Sequence, residues 1–129
     1  FKRMTEEDDL ATLLLGMGVL GGTVGYGVLE VFEDVEDPVF SQMAEKMVAQ
    51  KRHNEELLVN YLKSMVESSE EDRLEQIKDL ARFYRAQSET IVYAHSDSYK
   101  TLGKEPDEVA ENVLKVTDEF YRKIGIELD

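Results

Sequence analysis

The sequence predicts an all-α protein, an antiparallel bundle of about four helices, the first of them glycine-rich and apolar. Three observations carry this. Apolar residues recur at three- and four-residue steps, the period of one helix face. Helix entry and exit signals fall at intervals along the chain: Asp37-Pro38, Ser69 to Asp72, Gly103 with Pro106, and Gly125. No strand alternation of useful length, low-complexity tract or internal repeat interrupts the pattern. At 129 residues the chain reads as one domain, 1–129, large enough for a modest core.

The first helix is expected over roughly 9–32. Asp8 or Asp9 caps it, with acids placed favourably at its positive end. Met4 reads as a natural start, with Phe1-Lys2-Arg3 upstream of it. The run Leu10 to Leu29, LATLLLGMGVLGGTVGYGVL, carries no charge and six glycines. Each glycine costs about 1 kcal/mol of helix propensity relative to alanine. Close helix packing is the natural compensation. Gly18-x-x-x-Gly22 and Gly21-x-x-x-Gly25 leave a face on which another backbone can approach. Gly18, Gly21, Gly22 and Gly25 are therefore the expected packing residues, in a core or in an oligomer interface.

Glu33 to Asp37 forms a short acidic connection. Asp37 as N-cap and Pro38 at the first helical position restart the chain as a helix over 38–67. Its inward residues are expected to be Phe40, Met43, Met47, Leu57, Leu58, Tyr61, Leu62 and Met65, with a polar interruption from Gln50 to Glu56. Ser69 with Asp72 resembles a capping box for a third helix over 69–102. Leu74, Ile77, Ala81, Tyr84, Ser88, Ile91, His95 and Leu102 form its stripe, and Gly103 stops it. The fourth helix, 106–124, turns Val109, Val113, Val116, Phe120 and Ile124 inward, and Gly125 ends it.

Long helices on short links lie antiparallel and adjacent. Folding the second helix back along the third sets Met47 near Ser88, Asn54 near Ala81 and Phe40 near His95. Gln50, Asn54, Tyr84 and Ser88 then form a polar layer, which either fixes register or holds a small ligand.

Composition excludes several functions. The net charge of −13 repels phosphate backbones, so nucleic acid is not an expected partner. Anionic membrane surfaces are disfavoured for the same reason. The chain has no cysteine, which removes disulfides, thiol catalysis and cysteine-based metal sites and fits a cytoplasmic location. The four acids before Leu10 contradict a secretory signal. A membrane span at 10–29 is the alternative to burial, because about 20 apolar residues suffice to cross a bilayer. Against a span stand the glycine content, the absence of tryptophan and the acids at its C-terminal end.

No motif carries a firm chemical assignment. Gly16-Met17-Gly18-Val19-Leu20-Gly21 matches a dinucleotide fingerprint, with Leu13 to Leu15 as a possible strand before it and Glu36 as the ribose-binding acid. The remaining chain lacks the strands such a fold needs. His53 and His95 are weak metal candidates, since no Glu-x-x-His pair accompanies them. His95-Ser96-Asp97 are sequence neighbours and point apart on a helix, unlike a catalytic triad. The acid clusters lack calcium-loop spacing. The expectation is a non-enzymatic bundle that self-associates as a homo-oligomer, without a cofactor. The alternatives are a membrane-anchored acidic adaptor and a metal- or ligand-binding bundle enzyme.

Overall fold

A computed structural model describes residues 13–32 and 38–128, leaving aside the side chains of Phe40 and Asn54. The expected caps at Asp8, Asp9 and Asp37, the start at Met4 and the acidic connection 33–37 lie outside the described residues. Five helices and no strand occur among those described: α1 (Leu13–Val31), α2 (Pro38–Glu67), α3 (Glu71–Ala94), the short α4 (Ser96–Thr101) and α5 (Pro106–Lys123). The fold is all-α, as the periodicity predicts.

The contacts fix the directions. Gly18 meets Phe120, Thr23 meets Thr117 and Gly27 meets Val113, so α1 and α5 are antiparallel. Tyr121 meets Ala81, Arg85 meets Asp118 and Tyr93 meets Asp107, so α3 and α5 are antiparallel. Gly18 faces Leu58 and Gly25 faces Lys51, so α1 and α2 are antiparallel too. The four long helices thus run up, down, up and down.

The sequence of α5 explains its central place. Pro106 fits the first turn, Asp107 and Glu108 stand at the positive end of the helix, and Arg122 and Lys123 stand at the negative end. Val109, Val113, Thr117 and Phe120 follow at steps of four and three, and each is at most 1% exposed. Fully burying a side chain such as Val or Phe stabilises by about 1.5–3 kcal/mol. Gly125 at φ 88° then lets the chain turn back, and Ile126 N–H donates to Tyr121 O at 2.8 Å. This closure buries Ile124 and Ile126. Gly103 at φ 84° ends α4 in the same way, with Lys104 N–H donating to Tyr99 O.

Two core clusters result. Leu15, Val19, Leu62, Val66, Ile77, Ala81, Phe120, Tyr121 and Ile124 form one, at the end where α2 turns into α3. Phe32, Val92, Tyr99, Val109 and Val113 belong to the other. Between them α1 widens. Val24 N–H donates to Val19 O, five residues back, in a single π-helical turn over Val19–Thr23. Thr23 Oγ1 and Thr117 Oγ1 lie 2.8 Å apart in the interior, and each also lies within reach of its own helix carbonyl, Val19 O or Val113 O. One hydroxyl donates to its carbonyl and accepts from the other, so both buried groups are satisfied.

Several expected details differ. The third helix does not run through to Leu102. It breaks at His95 (φ −109°, ψ 22°), where Ser96 Oγ donates to Tyr93 O at 2.6 Å. Ser and Asp side chains compete with the helix for backbone groups, and Ser96-Asp97-Ser98 concentrates them. The break redirects the chain so that Tyr99 packs on Phe32, with ring centres 5.9 Å apart, and leaves His95 and Leu102 exposed. The Ser69–Asp72 capping box does not form either. Glu70 occupies the N-cap, and Ser69 Oγ donates back to Met65 O at 2.7 Å.

The largest difference concerns α2. Met43, Met47, Leu57 and Tyr61 point outward, and Ala44, Val48, Leu62 and Val66 form the inner face instead. The expected pairing of α2 along α3 is correspondingly limited. Leu62 and Val66 join Ile77 and Ala81 near the shared turn, whereas α5 and α1 are the main neighbours of α3. The physical reason is that one face of the glycine-rich α1 fits closely against α5 and α3. Gly27 admits the backbone of α5, and Gly16 admits the ring of Tyr84.

Candidate interaction surface

The outer face of α2 is the outstanding apolar surface among the described residues. Met43, Met47, Leu57 and Tyr61 are 58, 47, 77 and 49% exposed. With Gln50, also exposed, and the Asn54 position they follow steps of four, three, four, three and four. That is the 3.5-residue repeat of a helix–helix seam. At 100° per residue this seam lies about 120° around the helix from Ala44, Val48, Leu62 and Val66. One helix therefore carries two apolar stripes, and the bundle uses one.

The charge of α2 also sets it apart. Lys46, Lys51, Arg52 and Lys63 balance Glu45, Glu55, Glu56 and Glu67, so the helix is neutral in a chain of net charge −13. Self-repulsion between copies is weakest where their surface is neutral. His53 is exposed on this helix, beside the seam.

The four glycines expected at a packing face separate by role. A Cβ on Gly18 would come within 2.6 Å of the Phe120 ring, and Gly25 lies against Lys51 Nζ. Gly21 faces open space, and a Cβ on Gly22 would meet only Met17 O at 3.5 Å. Sequence reasoning missed Gly27, the tightest backbone approach, where a Cβ would sit 2.8 Å from Val113 Cα. Its signal was available, since Gly27 also follows in the glycine run. Lys51 Nζ donates to Gly21 O and Gly22 O at 3.1 Å each, on the π-helical turn. Burial of the ammonium pushes its pKa below the usual lysine value.

The polar residues expected as a layer do not share one surface. Gln50 is exposed on α2. Ser88 is buried on α3, where its Oγ donates to Tyr84 O at 2.8 Å. The Tyr84 ring packs against Gly16. The side chain of Asn54 lies outside the described residues. His53 and His95 sit on different elements, both exposed, and no group of three or more His, Asp and Glu side chains fit to hold a metal occurs among the described residues.

Gly16 to Gly21 lies within helix α1, so the fingerprint spacing does not form a strand-to-helix phosphate loop. A cleft beside α3 and α5 is lined by Arg82, Arg85, Glu89, Asp118, Tyr121 and Arg122. Its central charges neutralise each other. Arg85 clamps Asp118 with Nε and Nη2, at 2.9 and 3.2 Å, and this bond raises the guanidinium pKa. Tyr121 donates its hydroxyl to Ala81 O at 2.6 Å, and burial raises its pKa well above the ordinary value. These groups fasten α3 to α5.

The chain matches no protein-family model, no curated protein and no solved structure.

Proposed function

We propose that this protein is a non-enzymatic helical bundle that self-associates through the outer face of α2, in the cytoplasm. The observation that carries the reading is the second, uncovered stripe of α2, with seam spacing on a neutral helix. Met43, Met47, Leu57 and Tyr61 expose apolar surface at both ends of that stripe, and exposed apolar patches mark association sites. The acidic remainder supports solubility and repels nucleic acid. The polar pairs of the core, Thr23 with Thr117 and Tyr121 with Ala81, are engaged in holding helices together rather than facing a substrate.

A second reading has one observation in its favour. Leu13–Val31 is long and apolar enough to cross a membrane. Its removal from the bundle would take away the Thr23 partner of Thr117 and open the space that Phe120 and Val113 fill against Gly18 and Gly27. Burial of α1 is therefore the reading we adopt. Light scattering after size exclusion, in buffer without detergent, tests it. A discrete oligomer is the expected result. Aggregation that detergent relieves would favour the membrane anchor, and a monodisperse monomer would remove self-association.

A further inference from the structure

We infer that the π-helical turn of α1 is a register device and that the Lys51 ammonium is its latch. Along α5 the residues that meet α1 are Phe120, Thr117 and Val113, at steps of three and four, which is two turns of a regular helix. Their partners on α1 are Gly18, Thr23 and Gly27, at steps of five and four. Seven residues of α5 are thus matched by nine of α1. In an uninterrupted α-helix, nine residues at about 100° each place Gly18 and Gly27 about 180° apart, on opposite faces. With one residue taken up by a wider turn, the separation falls to about 80°, inside the roughly 100° width of a single packing face. The π-helical turn over Val19–Thr23 lies between the two glycines and takes up that residue. Both close approaches, Phe120 to Gly18 and the Val113 backbone to Gly27, therefore depend on one surplus residue held in one place.

Lys51 holds it there. Where the hydrogen-bond spacing of a helix widens from four residues to five and narrows again, amides and carbonyls no longer match one to one, and a carbonyl needs a donor from elsewhere. Lys51 Nζ reaches across from α2 and donates to Gly21 O and Gly22 O at 3.1 Å each, within that turn. Gly25 leaves the space that the ammonium occupies, and a Cβ there would collide with Nζ. The Gly21-x-x-x-Gly25 spacing thus seats a lysine side chain where a second helix was expected. A Cβ on Gly21 would meet nothing within 4 Å, so packing does not pin the turn on that side. α1 then has two arrangements. With Lys51 engaged, both halves dock on α5. With Lys51 withdrawn, the surplus residue migrates towards the start of α1, and each residue it passes rotates by about 100°. That turns Leu15, Gly18 and Val19 away from Phe120 while Thr23 and Gly27 stay docked. The device acts within one chain and does not depend on how copies associate.

The experiment measures residue-resolved amide hydrogen exchange by NMR on the full chain. The variants are Lys51→Met, which keeps the stem and loses the donors, Lys51→Gln, which keeps N–H donors, a deletion of Gly21, and that deletion combined with Lys51→Met. Lys51→Met is expected to speed exchange at least ten-fold over 13–23 and less than three-fold over 24–31. Lys51→Gln is expected to stay within three-fold of the wild type throughout. Deleting Gly21 removes the surplus residue, so that chain is expected to fold with a regular α1 and the same docking on α5. Adding Lys51→Met to the deletion is then expected to change exchange by less than two-fold, since no widened turn is left to latch. Equal effects of Lys51→Met with and without Gly21, or of methionine and glutamine, would overturn the latch. A deletion variant that loses its helical circular dichroism would overturn the register device itself.

Discussion

Helices α5 and α2 are both amphipathic, yet they sit in the molecule in opposite ways. α5 has one apolar stripe, and the bundle consumes all of it: Val109, Val113, Thr117 and Phe120 are almost fully buried. α2 has two stripes, and the bundle consumes one, leaving Met43, Met47, Leu57 and Tyr61 largely in solvent. The difference teaches that an apolar period says a residue seeks a partner and does not say which partner. For α5 the partners are α1 and α3. For α2 the inner stripe meets this chain, and the outer stripe is free to meet another.

The sharpest way to test that contrast is to truncate each side. Phe120→Ala removes a ring packed against Gly18 in the first core cluster, and a loss of about 3–5 kcal/mol is expected in urea unfolding. Gly27→Val forces a side chain into the α5 backbone at Val113, with an expected loss of about 1–3 kcal/mol and a lower melting temperature. Tyr121→Phe deletes one buried hydrogen bond, for about 1 kcal/mol at neutral pH.

The same residue contributes to the alkaline limb. Burial raises the Tyr121 pKa above its ordinary value of 10.0, so the folded state keeps a proton that the unfolded state loses. The contribution of Tyr121 to stability is full below pH 10 and falls as the pH rises beyond it. Tyr121→Phe should flatten that fall in a pH series of melting curves. The smallest effect belongs to the outer stripe. Leu57→Ala should change the stability of dilute, monomeric protein by less than about 0.5 kcal/mol. A loss comparable to that of Phe120→Ala would mean that Leu57 belongs to the core of its own chain.

Much of this architecture was legible in the sequence. The all-α class, the helix entries at Pro38 and Pro106 and the stripe of α5 follow from period and punctuation. The glycine run announced close packing, and Gly18 lies against Phe120 within one chain. What escaped was set by competition between surfaces. Leu57 and Leu58 are neighbours in the sequence, as are Tyr61 and Leu62, and each pair straddles the two stripes of α2. Periodicity merges such stripes into one wide face. Only the three-dimensional fit of α1 against α5 shows that Leu62 enters the core while Leu57 stays out. The break at His95 escaped because the apolar pattern continues through it to Leu102, while the serine hydroxyls that end the helix are polar and silent in that pattern.

The central claim is that the outer stripe of α2 joins copies of the chain. Its most direct measurement is the mass in solution, by light scattering after size exclusion without detergent, of the wild-type chain beside Leu57→Glu. The account predicts a wild-type particle at a discrete multiple of the 14.8 kDa chain mass and a folded monomer for Leu57→Glu with an unchanged helical spectrum. A wild-type monomer, or an oligomer that Leu57→Glu leaves intact, would contradict it.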